Sequence, residues 1–552
     1  MTAPPAPGPW QDAASSALIR RLFVPLCLVL PALTYARLWF GVDVTDEAFY
    51  VAMAHGFASG SRPFVDEYSV TQTAALGLTP LVWAYERLVG SPEGLVLFVR
   101  HVFFALLTGT ALVVFARLRE EVPRPIAAAS AGLVFVFVPF SIPSVSYNTA
   151  GALLLTAGLL AATARRRLPW RLEQVGAGLA LGGAAFAYPP LAPAIVMAVA
   201  VVARRDRSAL PALGAGLAVP VALGLALVAY ATPSRVLEAT AFLSTSRTTE
   251  GLAKALEIVR GAWEALPVEG PPRYGLLLLL LAAASSPRAA AVALPVLAVA
   301  FAARLDGALP RGQLLLAFVA LLGPALRVRR EADAGGVWAV SFVAGACTAH
   351  ASSNGFTNAC LGLLPAFLCA VAWAARAAQE RPSERSPATR ASLAVGCCLV
   401  VATLGAAPFT YVYRDAPVSQ LTATVDAGAY RGLRTTPARR DLLEQVARDL
   451  AAASVDRRTL FVFDDLPAGY LLTDLAFRGP GMWIGAPAYS RVDRRFYLRY
   501  FDEHGPPDVV LRHDPVPGED RRDDDPLRAR FAPPAYVVVV ERQGYDVLVR
   551  RR

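Results

Sequence analysis

The stretch DVTDEAFYVAMAHGFASGSRPFVDEYSVTQ, residues 43–72, decides how the rest of this chain is read. It holds two adjacent acid pairs, Asp46-Glu47 and Asp66-Glu67, between two strongly apolar segments. The first pair opens an amphipathic run, Ala48 to Ala58, in which Phe49, Val51, Met53 and Phe57 mix with small and polar residues. A carboxylate at the centre of a bilayer costs roughly 2.5–3.5 kcal/mol on insertion scales. Both pairs are therefore expected in a loop at the membrane edge, where a greasy half-helix meets lipid and the acids meet water-soluble groups. Chemistry is expected there.

The composition agrees with a membrane setting. The 552 residues are 55% hydrophobic and 17% charged, with a mean hydropathy of +0.44, whereas soluble domains carry about 25% charged residues. An α-helical polytopic membrane protein is the expected class. The net charge of +10 raises the question of nucleic acid. Its arginines, however, cluster in short loops between apolar segments, as membrane topology demands. No nucleic-acid partner is expected. The cysteines, Cys27, Cys347, Cys360, Cys369, Cys397 and Cys398, all fall in apolar segments and form no CxxC pattern. They read as small packing residues rather than as a zinc site or a disulfide framework.

Working outward, residues 1–21 read as a cytoplasmic tail ending in Arg20-Arg21. An uncleaved first span follows at about Leu22 to Phe40, because no small-x-small cleavage site is present. The first outer loop covers 42–93. Its second half, Thr73 to Gly90, is interrupted by Pro80, Glu86 and Arg87 and is expected to lie as an amphipathic helix on the outer surface. The later apolar segments then alternate so that RLREEVPR, RRRLPWR, RRDR and RVRRE face inside. SIPSVSYN, AYPP, the loop from Thr232 to Arg273 and HASSNGFTN face outside, as the positive-inside rule requires. About thirteen spans fill 22–411. From 412 to 552 the chain turns charged and turn-rich. Pro437 to Ala453 carries Leu442, Leu443, Val446 and Leu450 on one helical face, and Leu460–Phe463, Val509–Leu511, Val537–Val540 and Val547–Val549 read as strands. This is a small α/β domain, placed outside a cytoplasmic (inner) membrane.

The first span followed by Asp46-Glu47-Ala48-Phe49-Tyr50 resembles the DEA-x-Y opening of the first outer loop in the GT-C class of membrane glycosyltransferases. The nearest subclass comprises the bacterial relatives of protein mannosyltransferases and of lipid A aminoarabinose transferases. GSRPFVDE, Gly60 to Glu67, lies where that family has a second loop element. The pattern covers about residues 20–230, and the topology covers the whole chain. The resemblance implies transfer of a sugar, hexosyl or pentosyl, from a polyprenyl-phosphate carrier to a hydroxyl on a glycan, lipid or protein acceptor, with inversion, in cell-envelope biosynthesis. Two positions depart from the family pattern. Asn148 stands where relatives often carry an acid, and Tyr188-Pro189-Pro190 stands where many carry a lysine. A transporter or flippase of lipid-linked glycans, or a non-catalytic subunit of an envelope assembly complex, is the alternative.

The resemblance makes Asp46 the candidate base for the acceptor hydroxyl; as a residue it could equally cap the helix that begins at Glu47. Glu47 is a second catalytic candidate, and Asp66 and Glu67 are candidates for binding and orienting the acceptor. With His55 these acids include enough oxygen and nitrogen donors for a divalent cation, although no spacing rule supports one and no metal ligand is assigned. Arg100, near the outer end of a span, is either a phosphate ligand or a snorkelling arginine. Arg62, Arg235, Arg247, Lys254 and Arg414 are alternative cations on the same side. Tyr147, Asn148, Tyr188, His350 and Asn354 are polar candidates for a sugar pocket; Asn354-Gly355 reads equally well as a turn. Asp464-Asp465 after a strand reads as turn chemistry.

Overall fold

A computed structural model describes residues 9–551 apart from 70, 165–169, 247–250, 306–310, 327–333, 381–384, 411, 485–493 and 514–525. Most of RRRLPWR and RVRRE, part of the loop before the last span, and Arg247 fall outside the described residues.

Among the described residues five helices are long and apolar enough to cross a membrane: Ala14–Arg37, Leu95–Leu118, Arg207–Ala231, Gly355–Ala377 and Pro387–Thr410. Five shorter apolar helices, Arg124–Val136, Tyr147–Ala162, Pro271–Ser285, Pro287–Ala302 and Arg311–Leu326, fall between them. Trp170–Ala187, Ala192–Arg205 and Ala334–Ala351 complete a series of thirteen segments in the predicted order. The chain is a multi-pass α-helical membrane protein.

Side-chain size sets the layering of this bundle. Gly355–Ala377 is buried along its whole apolar window and forms the centre. Arg207–Ala231 turns Val221, Leu223 and Leu225 outward, more than half exposed, as a lipid-facing helix does. It packs on Trp170–Ala187 through Gly178 and Gly216. A Cβ on either glycine would meet a backbone carbonyl of the opposite helix at 2.1 or 2.0 Å. Such close backbone approach is how membrane helices associate without a hydrophobic driving force between them.

The first loop departs from expectation at one helix and agrees at the next. Asp46–Ala58 is not half-immersed at a lipid edge. Ten of its residues, from Glu47 to Phe57, are buried, because it is apolar nearly all round and such a helix needs cover on every side. The C-terminal unit supplies that cover: Trp483 packs on Phe49 with ring centres 5.6 Å apart, and Met482 fills the space beside Gly56. Gln72–Val89 does lie at the surface, with Leu81, Trp83 and Leu88 exposed, and it ends at Gly90 in the left-handed conformation, φ 80°. The stretch from Thr232 to Arg273 is not an open loop but two helices, Pro233–Ser246 and Gly251–Glu264. Leu252, Leu256 and Val259 line one exposed face of the second.

The C-terminal unit is a five-stranded mixed sheet in the order β4-β3-β5-β7-β6, with β3 Thr459–Phe463, β4 Ala476–Phe477, β5 Val509–His513, β6 Tyr536–Arg542 and β7 Tyr545–Arg550. β3 runs parallel to both of its neighbours, while β7 is antiparallel to β5 and β6. A short ribbon, β1 Ala423–Thr424 with β2 Arg434–Thr435, leads into it. The helix predicted at Pro437–Ala453 is present, and Thr436 caps it by accepting from Arg439 N. The α/β character expected of this region is observed.

Candidate active site

The chemistry-bearing residues are set by the way the helix Asp46–Ala58 begins. Its N-cap is Thr45, whose side chain makes no capping bond. The capping work falls to Asp43 instead. One carboxylate oxygen of Asp43 accepts from Thr45 N at 2.9 Å and Thr45 Oγ1 at 2.6 Å, and the other accepts from Glu47 N at 2.9 Å. Asp46 is therefore not the cap that its sequence position allowed; a neighbour has taken that role.

One residue further along a helix turns the side chain by about 100°, and this separates the two acids of the first pair. Glu47 points inward to Arg100. Arg100 Nε donates to Glu47 Oε1 at 2.7 Å and Nη2 to Oε2 at 2.5 Å. Nη1 also donates to the carbonyls of Leu38 and Phe40, and Nη2 to that of Gly41. All five N–H donors of Arg100 are thus satisfied inside the protein, and both partners are about 1% exposed. The pair bolts the first-loop helix to the ends of two spans. It leaves neither Arg100 for a phosphate nor Glu47 for an acceptor.

Asp46 points the other way. Tyr413, just after the last span, supplies a side-chain hydrogen bond to its carboxylate, and the charges of Arg414, Asp43 and Asp465 act on it. Its Oδ2 is enclosed and has no hydrogen-bond partner. Burial, reinforced by the negative charge of Asp43, pushes the Asp46 carboxyl up to about 7, against the opposing pull of Arg414 and Tyr413. The same burial, with Asp46 beside it, raises the Tyr413 phenol. Arg414 adopts φ 52°, in the left-handed region. Its guanidinium lies 5.2 Å from the Tyr413 ring centre and 5.7 Å from that of Trp483. Trp483 in turn donates Nε1–H to Asp465 at 2.6 Å.

Aromatic and amide groups continue the site along the bundle. Tyr50, one turn from Asp46, lies 5.8 Å from Tyr147, and Tyr147 lies 4.9 Å from Tyr188, ring centre to ring centre. Tyr147 has side-chain hydrogen bonds with Tyr50 and Asn148, and the Asn148 Oδ1 is buried without a partner. Ser146 and Thr149 fix this corner with a reciprocal capping box. Three of the polar residues named from sequence, Tyr147, Asn148 and Tyr188, thus come together beside Asp46.

The second acid pair does different work. Asp66 accepts from Arg62 N, Nε and Nη2 and from the Tyr500 hydroxyl. Burial raises its pKa, but the Arg62 bonds outweigh that and hold it below the ordinary carboxylate value. Glu67 is buried and accepts from Ser69 N and, across 415 residues, from Met482 N, both at 2.8 Å. Burial drives its pKa up to about 7 in spite of these backbone donors. Both acids dock the C-terminal unit on the first loop.

His55 pairs with Glu86 at 2.6 Å, so the five residues that might have shared a cation are divided among separate contacts. Among the described residues no group of three or more His, Cys, Asp or Glu side chains has metal-holding geometry. His350 and Asn354 are exposed around the turn at Gly355, and no contact links them to Asp46. Of the other named cations, Arg235 pairs with Glu503 and Glu238 and Lys254 with Glu257. Among the described candidates Arg414 is the cation beside Asp46.

Sequence reasoning missed Tyr413 and Trp483, and read Asp465 as turn chemistry. An arginine directly after the last span was the one signal pointing to that corner. A cleft of about 740 Å³ between Pro437–Ala453 and residues 91–93 does not include Asp46.

No family model and no curated protein matches the chain. Among solved structures it is similar to that titled ArnT from Cupriavidus metallidurans in the apo state. The identity is 15% and the TM-score 0.37, over 97% of this chain and 98% of that one.

Proposed function

We propose that the protein is a membrane glycosyltransferase that moves a sugar from a polyprenyl-phosphate carrier to a hydroxyl acceptor, with Asp46 as the general base. The observation that carries this reading is the Asp46 carboxylate beside Tyr413 and Arg414, its Oδ2 enclosed and without a hydrogen-bond partner, with burial pushing its pKa up to about 7. A base with a pKa near the working pH combines a useful ionised fraction with real affinity for the proton. The DEAFY resemblance supplies the reaction class, and the geometry supports a role in it.

In this mechanism the acceptor hydroxyl gives its proton to Asp46 as its oxygen attacks the anomeric carbon. The bond from that carbon to the phosphate oxygen breaks, and polyprenyl phosphate leaves with the electron pair. Arg414 is the cation placed to meet the developing phosphate charge. Tyr413 orients Asp46, and the Tyr147–Asn148–Tyr188 corner offers hydroxyl and amide groups to a sugar. The outer face of the cytoplasmic membrane, an envelope acceptor and inversion at the anomeric carbon belong to the same proposal.

The test offers the purified full chain, in lipid, a panel of polyprenyl-phosphate monosaccharides, with Asp46→Asn run in parallel. Release of polyprenyl phosphate by the wild type and not by the variant supports the reading. Equal release by both refutes Asp46 as base. Absence of release from every donor, with acceptor glycans and lipids supplied, refutes the reaction.

A further inference from the structure

The helix Leu95–Leu118 that carries Arg100 at one end carries a second buried arginine, Arg117, at the other. The two lie about 25 Å apart along the axis, close to the thickness of a bilayer core. Arg117 is 4% exposed. Its Nη2 pairs with Glu121 and its Nη1 lies 3.6 Å from Glu120, yet Nε and Nη1 have no hydrogen-bond partner. A buried guanidinium with unmet donors is costly, and this one opens the RLREEVPR segment at the end of the span, where lipid headgroups lie.

Arg117 lines a cavity of about 320 Å³ whose apolar wall, apart from Val113, is alanine and glycine. Ala157 and Ala161 come from Tyr147–Ala162, and Ala177 and Ala180 from Trp170–Ala187. Glu120 and Glu173 are the other charged groups lining it; Glu173 is exposed and Glu120 half-buried. The cavity is therefore an apolar slot with a charged end. Beside it, Arg376 donates to the Glu121 carbonyl, and the Arg119 guanidinium lies over the Phe115 ring. With Glu120 and Glu121 against Arg117 and Glu173 on the same cavity, a headgroup carrying only negative charge is a poor match. One carrying both a phosphate and a primary ammonium matches both signs.

We propose that this slot binds a phospholipid with a phosphoethanolamine headgroup, its phosphate on Arg117, its ammonium at Glu173 and an acyl chain along the alanine wall. The site is independent of the Asp46 chemistry and lies at the opposite end of the bundle.

The test is native mass spectrometry of the full chain, purified in detergent, stripped of lipid and offered phosphatidylethanolamine, phosphatidylcholine or phosphatidylglycerol. One phosphatidylethanolamine is expected to stay bound per chain, about tenfold tighter than either competitor, the equivalent of one charge-assisted hydrogen bond. Glu173→Gln, at an exposed position, removes the preference over phosphatidylcholine. Ala161→Leu fills the slot with Arg117 intact and abolishes retention. Arg117→Gln weakens all three lipids. Phosphatidylglycerol bound as tightly as phosphatidylethanolamine, retention unchanged by Ala161→Leu, or no lipid retained by the wild type would each overturn the proposal. Failure of Arg117→Gln to fold leaves the other two variants to decide.

Discussion

Replacing Glu47 by Gln separates a structural acid from a chemical one at adjacent positions. The substitution keeps the shape of the side chain and removes the charge that Arg100 faces. The three Arg100 bonds to the carbonyls of Leu38, Phe40 and Gly41 survive, while the two charge-assisted bonds to Glu47 are lost or weakened. Hydrogen bonds to charged groups contribute about 1.5–3 kcal/mol each, and breaking a buried pair from one side costs about 3–5 kcal/mol, because an uncompensated charge remains. The surviving carbonyl bonds blunt that cost, so a loss of about 3 kcal/mol is expected. Thermal unfolding of the full chain in detergent reads it. Transfer activity, normalised to the folded fraction, should stay within a few-fold of wild type. Replacing both partners with a well-packed apolar pair should recover part of the stability. A Glu47→Gln protein that melts like the wild type and has lost its activity would refute the assignment, and would return Glu47 to the chemistry.

Asp46→Asn should behave in the opposite way: transfer falls by about 10²–10⁴-fold, the usual worth of a general base, with unfolding barely changed, since the variant no longer has to bury a charge. Wild-type transfer should rise with pH up to about 7 and then level, because the base acts in its ionised form and its carboxyl sits at about 7; a flat profile between pH 5 and 8 would count against Asp46. Arg414→Ala removes a cation that lowers the Asp46 pKa, so the rising limb should move to higher pH as well as fall in height; an unmoved limb would place Arg414 away from the carboxylate. Glu67 titrates from about 4.5 unfolded to about 7 folded, so the folded chain binds the extra proton between those values. Its contribution is therefore present below pH 4.5 and lost as pH rises through 7, by about 3 kcal/mol. Glu67→Gln should flatten that part of the stability profile, as read by unfolding at pH 5 and pH 8, and a slope equal to the wild type's would refute it.

The parts of this molecule that local physics controls were legible in its sequence. Spans such as Leu95–Leu118 are legible because a lipid-facing helix must be apolar over its length. Pro437–Ala453 is legible because Leu443, Val446 and Leu450 repeat at helical spacing, and β3 and β5 because their runs are apolar and β-branched. The Gly251–Glu264 helix is legible in principle, through the spacing of Leu252, Leu256 and Val259, whereas Pro233–Ser246 is too mixed in composition to stand out from a loop. The site was legible only to the level of the acid pair. Its division depends on helix phase: a start at Asp46 rather than Glu47, fixed by Asp43, sends one carboxylate to Arg100 and the other to Tyr413. The remaining partners lie far along the chain. Trp483 carries no local signal, because what places it is the Glu67 bond to Met482 N beside it, a tertiary contact, and the Asp465 pair reads locally only as a turn.

Those distant contacts also explain why Asp46 has the chemistry proposed for it. An aspartate at the water-exposed start of a helix titrates near 4, lower still beside the helix dipole, and would be a poor base at neutral pH. Here the same residue is moved toward 7, first by burial and then by Asp43. The first-loop helix is covered by Trp483 and Met482. Glu67 and Asp66 hold that cover in place through Met482 N and Tyr500, and Trp483 carries Asp465 with it. Arg414 and Tyr413 limit the rise, since without a cation and a donor a carboxylate so enclosed would stay protonated and could accept nothing. The proposed base therefore belongs to an assembly of three parts, the first loop, the turn after the last span and the C-terminal unit. The acid pair in the sequence is where they meet.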